Sequence, residues 1–113
     1  MHEYSIVQAL LDRVEAEARA HSATSVHRLR VQIGEQSGVE PDLLAAAFEM
    51  ARLRTICETA SLEIVSVAAR WACRDCGADI APGQVLRCRL CDSPARMVAG
   101  DEIVLERIEM EAA

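Results

Sequence analysis

Four of the five cysteines fall in two spaced pairs, Cys73-Arg-Asp-Cys76 and Cys88-Arg-Leu-Cys91, and no other feature constrains the fold as much. A two-residue gap lets both sulfurs of a pair converge on one centre while nearby amides bond to them. Eleven residues separate the pairs, and Pro82-Gly83 turns the chain back between them. Gly77 and Asp92 follow the second cysteine of each pair. Such positions often take positive φ, which glycine adopts freely and aspartate tolerates. Four soft ligands in a closed tetrahedron fit structural zinc, with no open position for catalysis. Two matched pairs suit a metal better than a disulfide framework or a dithiol relay. Trp71 is the only large aromatic in the segment 70–97, too little to hold it together without a metal staple.

Around this segment the patterning is that of a small α/β layer. Ile6, Val7, Leu10, Leu11, Val14 and Ala18 recur at helical spacing and predict a helix over 5–20, with Ser5 and Gln8 as a capping box. Residues 26–33 alternate: Leu29, Val31 and Ile33 point one way, Arg28, Arg30 and Gln32 the other, as in a strand with one buried face. Gly34 and Gly38 bracket a turn, and Pro41 suits the first turn of a second helix that fades near Thr55. Its inner stripe is Leu44, Ala47, Phe48 and Ala51. Cys57 at its end reads as a half-buried thiol.

Residues 61–69 and 102–110 read as two further strands. A helix between the first two strands favours a parallel, right-handed crossover. The last two, interrupted by the cysteine segment, can pair as neighbours. The expected fold class is α/β (α+β): two helices on one face of a three-stranded mixed sheet, with an inserted zinc-ribbon module. Residues 1–69 plus 98–113 would form the α/β domain and 70–97 the zinc-binding module. Hinges are expected near Ala69–Ala72 and Met97–Asp101.

Composition excludes several functions. Net charge is −6, and the segment 70–97 sets five arginines against three aspartates while the rest is strongly acidic. Only Arg74, Arg87, Arg89 and Arg96 support nucleic-acid binding, and no broad basic face is expected. No apolar run approaches the ~20 residues of a membrane helix, and no leader precedes the first helix, so a cytoplasmic chain without membrane contact is expected. Neither a GxxxxGKS loop nor a Ser/His/Asp set is evident, so no catalytic residue is assigned and an enzyme is not expected.

The chain opens Met1-His2-Glu3. The α-amine, the His2 amide nitrogen and the His2 imidazole can close a five- and then a six-membered ring on one metal. Ni²⁺ or Cu²⁺ in a planar nitrogen field promotes loss of the amide proton. The next amide, or the Glu3 carboxylate, can add a donor. The chelate requires Met1 to be retained with its amine free. His21 and His27 are further candidates, more simply read as solvated.

Together these pieces resemble the HypA/HybF family of nickel metallochaperones, which act in maturation of [NiFe]-hydrogenase and, in some organisms, urease. Met1-His2-Glu3-Tyr4-Ser5 is similar to the family's opening motif, and Ile33-Gly34-Glu35-Gln36-Ser37-Gly38-Val39-Glu40-Pro41 to its strand–turn–helix signature, continued by Phe48-Glu49. Thr55, Glu58, Ala60 and Leu62-Glu63-Ile64 resemble the entry to its second strand, and Gly100-Asp101-Glu102-Ile103 through Ile108-Glu109 its closing strand. The cysteine pairs match, although Arg89 and Asp92 stand where the family often has Pro and Gly. The resemblance implies Ni²⁺ cargo at Met1, His2 and Glu3, and structural Zn²⁺ at Cys73, Cys76, Cys88 and Cys91. It also implies a HypB-type GTPase partner and delivery to a [NiFe]-hydrogenase large-subunit precursor or to urease maturation proteins. The sequence is compatible with a monomer or a homodimer, the latter by exchange of the last strand, which follows the inserted module. The alternatives are a zinc-ribbon structural adaptor or a nucleic-acid-binding module without nickel.

Overall fold

The structure is a computed structural model that describes residues 2–112, with His2 described by its backbone alone. The elements run α1 (His2–Ala20), β1 (Ala23–Gly34), α2 (Pro41–Ala51), β2 (Ser61–Val67), β3 (Arg70–Cys73), β4 (Asp79–Ile80), β5 (Ala95–Ala99) and β6 (Ile103–Ala112). They build two three-stranded sheets, ordered β2-β1-β6 and β4-β3-β5. The first, mixed sheet carries α1 and α2 on one face, as the alternation of β1 and the helical stripes require.

β1 pairs with β2 in parallel, from Arg28 opposite Ser61 to Gly34 opposite Val67. The last strand does not lie beside β2, as its place in the sequence allowed. It pairs antiparallel with β1, from Ile33 opposite Ile103 to Ala23 opposite Ala112. β3 and β5 pair with each other, so the chain leaves and re-enters the first sheet at one end. It returns on the far side of β1, and the strand with the most apolar face becomes central.

Val7, Leu11, Val14 and Ala18 of α1 are buried with Leu29, Val31 and Ile33 of β1 and Leu44 and Phe48 of α2. Burial of this aliphatic set is the main stabilising term. Cys57 is fully buried in the turn beyond α2, not half-buried at a helix end. The opposite face of the sheet is wet: Arg30 reaches Glu106 at 2.7 Å and Glu63 at 3.9 Å.

α1 begins at His2, so Ser5 lies inside the helix and does not cap it. Glu3 sits in the first turn, where its charge favours the positive end of the helix. α2 begins at Pro41 as expected, capped by Glu40, whose carboxylate accepts the Asp42 amide at 3.5 Å.

The expected hinges are narrower and more tightly held. Strand pairing claims Arg70–Cys73 and Ala95–Ala99, so the connectors are residues 68–69 and 100–102. The turn after β1 ties down both. Gln36 N–H donates to Gly100 O at 2.7 Å, Gly34 N–H to Glu102 O at 2.8 Å and Glu35 N–H to Val67 O at 2.8 Å. The Glu35 carboxylate accepts the Ala69 amide at 3.4 Å. A Cβ on Gly34 would lie 2.2 Å from Gly100 O, and one on Gly100 would lie 2.5 Å from Ala69 Cα. The connectors cross where no side chain fits.

Candidate metal centres

The two cysteine pairs form matched knuckles. Cys73 N–H donates to Ala78 O and Gly77 N–H returns to Cys73 O; Cys88 N–H donates to Ser93 O and Asp92 N–H returns to Cys88 O, all at 2.8–3.1 Å. The reversal needs positive φ at the closing residue, and Gly77 has φ 77° and Asp92 φ 59°. Arg87 braces the second knuckle, its Nε 3.1 Å from Asp92 Oδ1 and its Nη2 donating to Asp92 O at 2.6 Å. The Arg87 Nε bond to the carboxylate, then the Arg87 charge, holds the Asp92 carboxyl below the usual carboxylate range.

The four sulfurs lie within 4.8 Å of one another, with Cys73 Sγ 3.2 Å from Cys91 Sγ and Cys76 Sγ 3.6 Å from Cys88 Sγ. A tetrahedron with Zn–S bonds of about 2.3 Å has S···S edges of about 3.8 Å, so the set fits one zinc ion. The Cys76 and Asp75 amides donate to Cys73 Sγ at 3.3 and 3.4 Å, and Leu90 N–H to Cys88 Sγ at 3.3 Å. The Cys76 amide bond is the main reason the Cys73 thiol falls to about 6. The Ala78 amide favours a Cys76 thiolate, yet bonding to Cys73 and Cys88 pushes this thiol up to about 12. Two thiolates ~4 Å apart repel by about 4 kcal/mol at an effective dielectric of ~20. Four thiolates therefore need a cation, and a dication leaves the site at −2. Cys73 and Cys88 are buried, Cys76 and Cys91 exposed.

Met1 and the side chain of His2 lie outside the described residues. Of the proposed nickel donors, Glu3 alone is described in full. Its Oε2 accepts the Glu40 amide at 3.3 Å, which brings the start of α1 to the start of α2. Spacing alone could not reveal this pairing across 37 positions. His21 Nδ1 lies 2.9 Å from Glu17 O, and His27 Nε2 lies 3.6 Å from a Glu111 carboxylate oxygen. Neither joins a ligand set: among the described residues, only the four cysteines cluster with metal-binding geometry.

Residues 1–110 match the family described as "Hydrogenase/urease nickel incorporation, metallochaperone, hypA". The chain belongs to the HypA family. It is 42% identical over 115 residues to the hydrogenase maturation factor HypA of Wolinella succinogenes, covering 99% of this chain and 97% of that one. The corresponding factor of Shewanella oneidensis is 40% identical, covering 100% and 98%. The solution structure of the Ni metallochaperone HypA from Helicobacter pylori superposes with a TM-score of 0.76 at 32% identity, covering 98% of each chain. A second solution structure, of a HypA protein, gives 0.82 at 33% identity, covering 100% of this chain and 98% of that one.

No helix among the described residues is long and apolar enough to cross a membrane. The fold also assigns roles that spacing alone does not disclose. Gly100 is a crossing point as well as a turn residue. Arg87, one of the four arginines that could favour nucleic acid, is committed to Asp92.

Proposed function

We propose that this chain carries Ni²⁺ at its N-terminus and delivers it to an apo-enzyme during [NiFe]-hydrogenase maturation, with urease as a further client. The observation that carries the reading is the match to a nickel-incorporation family over residues 1–110, Met1-His2-Glu3 included. In this reading the donors are the Met1 amine, the His2 amide and imidazole, and a donor from Glu3. The Glu3–Glu40 contact supports it, because it ties the first turn of α1 to a second element and limits the conformations open to the chelate.

Residues 1–69 with 98–113 form the nickel-binding domain in this proposal, and 70–97 the zinc-binding module. Zinc at Cys73, Cys76, Cys88 and Cys91 is structural, since a complete tetrahedral thiolate set leaves no open position. A HypB-type GTPase supplies nucleotide hydrolysis, and the hydrogenase large-subunit precursor receives the metal in the cytoplasm. The carrier needs no catalytic residue of its own.

The test is complementation. In a host lacking its own member of this family, the wild-type chain restores nickel in the hydrogenase large subunit. His2→Ala leaves the enzyme nickel-poor while retaining its own zinc. Full nickel loading with His2→Ala would sink the proposal.

A further inference from the structure

We propose that Cys91 is the reactive thiolate of the cysteine cluster, a modification site that a peroxide or another soft electrophile attacks before its three partners. The proposal rests on the zinc reading of these four residues. With zinc bound all four sulfurs are thiolates, so they differ in access and in the hydrogen bonds they accept, not in protonation. Access sets two aside: Cys73 and Cys88 are buried, while Cys76 and Cys91 are exposed.

Hydrogen bonding separates the remaining two. In the first knuckle the Asp75 and Cys76 amides donate to Cys73 Sγ, and the Ala78 amide favours charge on Cys76. In the second, Leu90 N–H donates to Cys88 Sγ, but no amide among the described residues donates to Cys91 Sγ. The amide equivalent to that of Ala78 belongs to Ser93, and Arg87 holds its peptide unit through the Asp92 carbonyl at 2.6 Å. An N–H donor draws charge from a thiolate, so the sulfur without one keeps the most electron density for attack.

The surroundings of the two exposed sulfurs point the same way. Leu90, beside Cys91, is 82% exposed, so its own chain does not cover the approach. Among the described residues the ion pairs within the zinc-site segment are Arg70–Asp79 and Arg87–Asp92, which leaves Arg89 an exposed cation without one. Cys76 instead follows Asp75, whose carboxylate meets the Ser93 hydroxyl and no cation among the described residues. Reactive thiolates favour such electropositive, accessible settings.

With hydrogen peroxide as oxidant, Cys91 Sγ attacks one peroxide oxygen. The O–O bond breaks, hydroxide leaves with the electron pair, and Cys91 becomes a sulfenic acid. Cys73 Sγ, 3.2 Å from Cys91 Sγ, then attacks that sulfur and expels a second hydroxide as the disulfide forms. The two sulfurs together lose two electrons and the peroxide gains them. Only Cys76 and Cys88 then remain as donors, too few to close a tetrahedron, and the β4-β3-β5 sheet loses its staple.

The test is tryptic mapping of the full chain, after its zinc content has been measured as one equivalent. Cleavage after Arg54, Arg70, Arg74, Arg87, Arg89 and Arg96 puts each cysteine on a separate peptide. With less than one equivalent of N-ethylmaleimide, the first label falls on peptide 90–96, and the buried Cys57 stays unlabelled. A donor that changes a sulfur's proton affinity about tenfold changes its nucleophilicity about threefold, so Cys91 reacts at least about threefold faster than Cys76. With hydrogen peroxide, peptide 90–96 becomes linked to 71–74 as zinc passes to a chromogenic chelator. Labelling of Cys76 as fast as Cys91 overturns the proposal. So does a first peroxide-driven disulfide that leaves Cys91 out. A chain that holds no zinc even after zinc addition fails the zinc reading, and this proposal with it.

Discussion

Replacing Gly100 with alanine tests the junction that holds the zinc-site sheet to the mixed sheet. Gly100 has φ +99°, a backbone that L side chains rarely adopt, and forcing alanine there costs about 1–3 kcal/mol. The new Cβ would lie 2.5 Å from Ala69 Cα, 2.8 Å from Ala69 N and 3.0 Å from Ala68 O. These are backbone atoms, so relief requires one connector to move by about 1 Å. That movement strains the 2.7 Å bond from Gln36 N–H to Gly100 O and the bond from Ala69 N–H to Glu35, each worth about 0.5–1.5 kcal/mol. The total is about 2–6 kcal/mol. Gly38 is the control: it has φ +81° but nothing within 4 Å of an added methyl, so Gly38→Ala bears the backbone cost alone. Urea unfolding of zinc-loaded protein, followed by circular dichroism, should show a midpoint loss for Gly100→Ala about twice that for Gly38→Ala or larger. Equal losses would refute the steric argument.

Two further outcomes follow from the cysteines. Burial, aided by the Glu15 charge, raises the Cys57 thiol from 9.0 to about 11. The folded chain therefore holds this proton more tightly than the unfolded chain, and the stabilisation is complete below pH ~9 and lost as pH rises toward 11, about 2–3 kcal/mol in all. Urea midpoints at pH 8 and 10.5 should fall less for Cys57→Ala than for wild type, and equal falls would contradict the assignment. Removing zinc with a chelator should unravel the β4-β3-β5 sheet, which has little core beyond Ala72, Cys73, Ile80 and Cys88. Trp71 is the only tryptophan, so its emission should shift red while the helical signal persists. Unchanged emission after confirmed zinc loss would show that the sulfurs do not hold this sheet together.

Local pattern reveals what local chemistry determines. The cysteine spacing with Gly77 and Asp92 discloses both knuckles, because each closes within a few residues. The inner face of β1 is readable from Leu29, Val31 and Ile33. β6 is harder: Leu105 and Ile108 share a face although they are three apart, since the bulge at Glu106 breaks the two-residue period. The strand order is not readable, because pairing with β1 or with β2 satisfies the same apolar pattern; the crossing at Gly34 and Gly100 decides it. The start of α1 is hidden because Ser5 offers a cap by type, whereas the helix continues past it to His2. The Glu3–Glu40 contact joins two elements that only the tertiary fold brings together.

Nickel titration of the zinc-loaded chain, beside the same chain carrying one extra N-terminal residue, tests the central claim most directly. The extra residue moves the α-amine away from His2 and changes no other residue of the chain. The account predicts one tight equivalent of Ni²⁺ for the native chain and none for the extended one. Equal binding by both chains, or tight binding by neither, would contradict it.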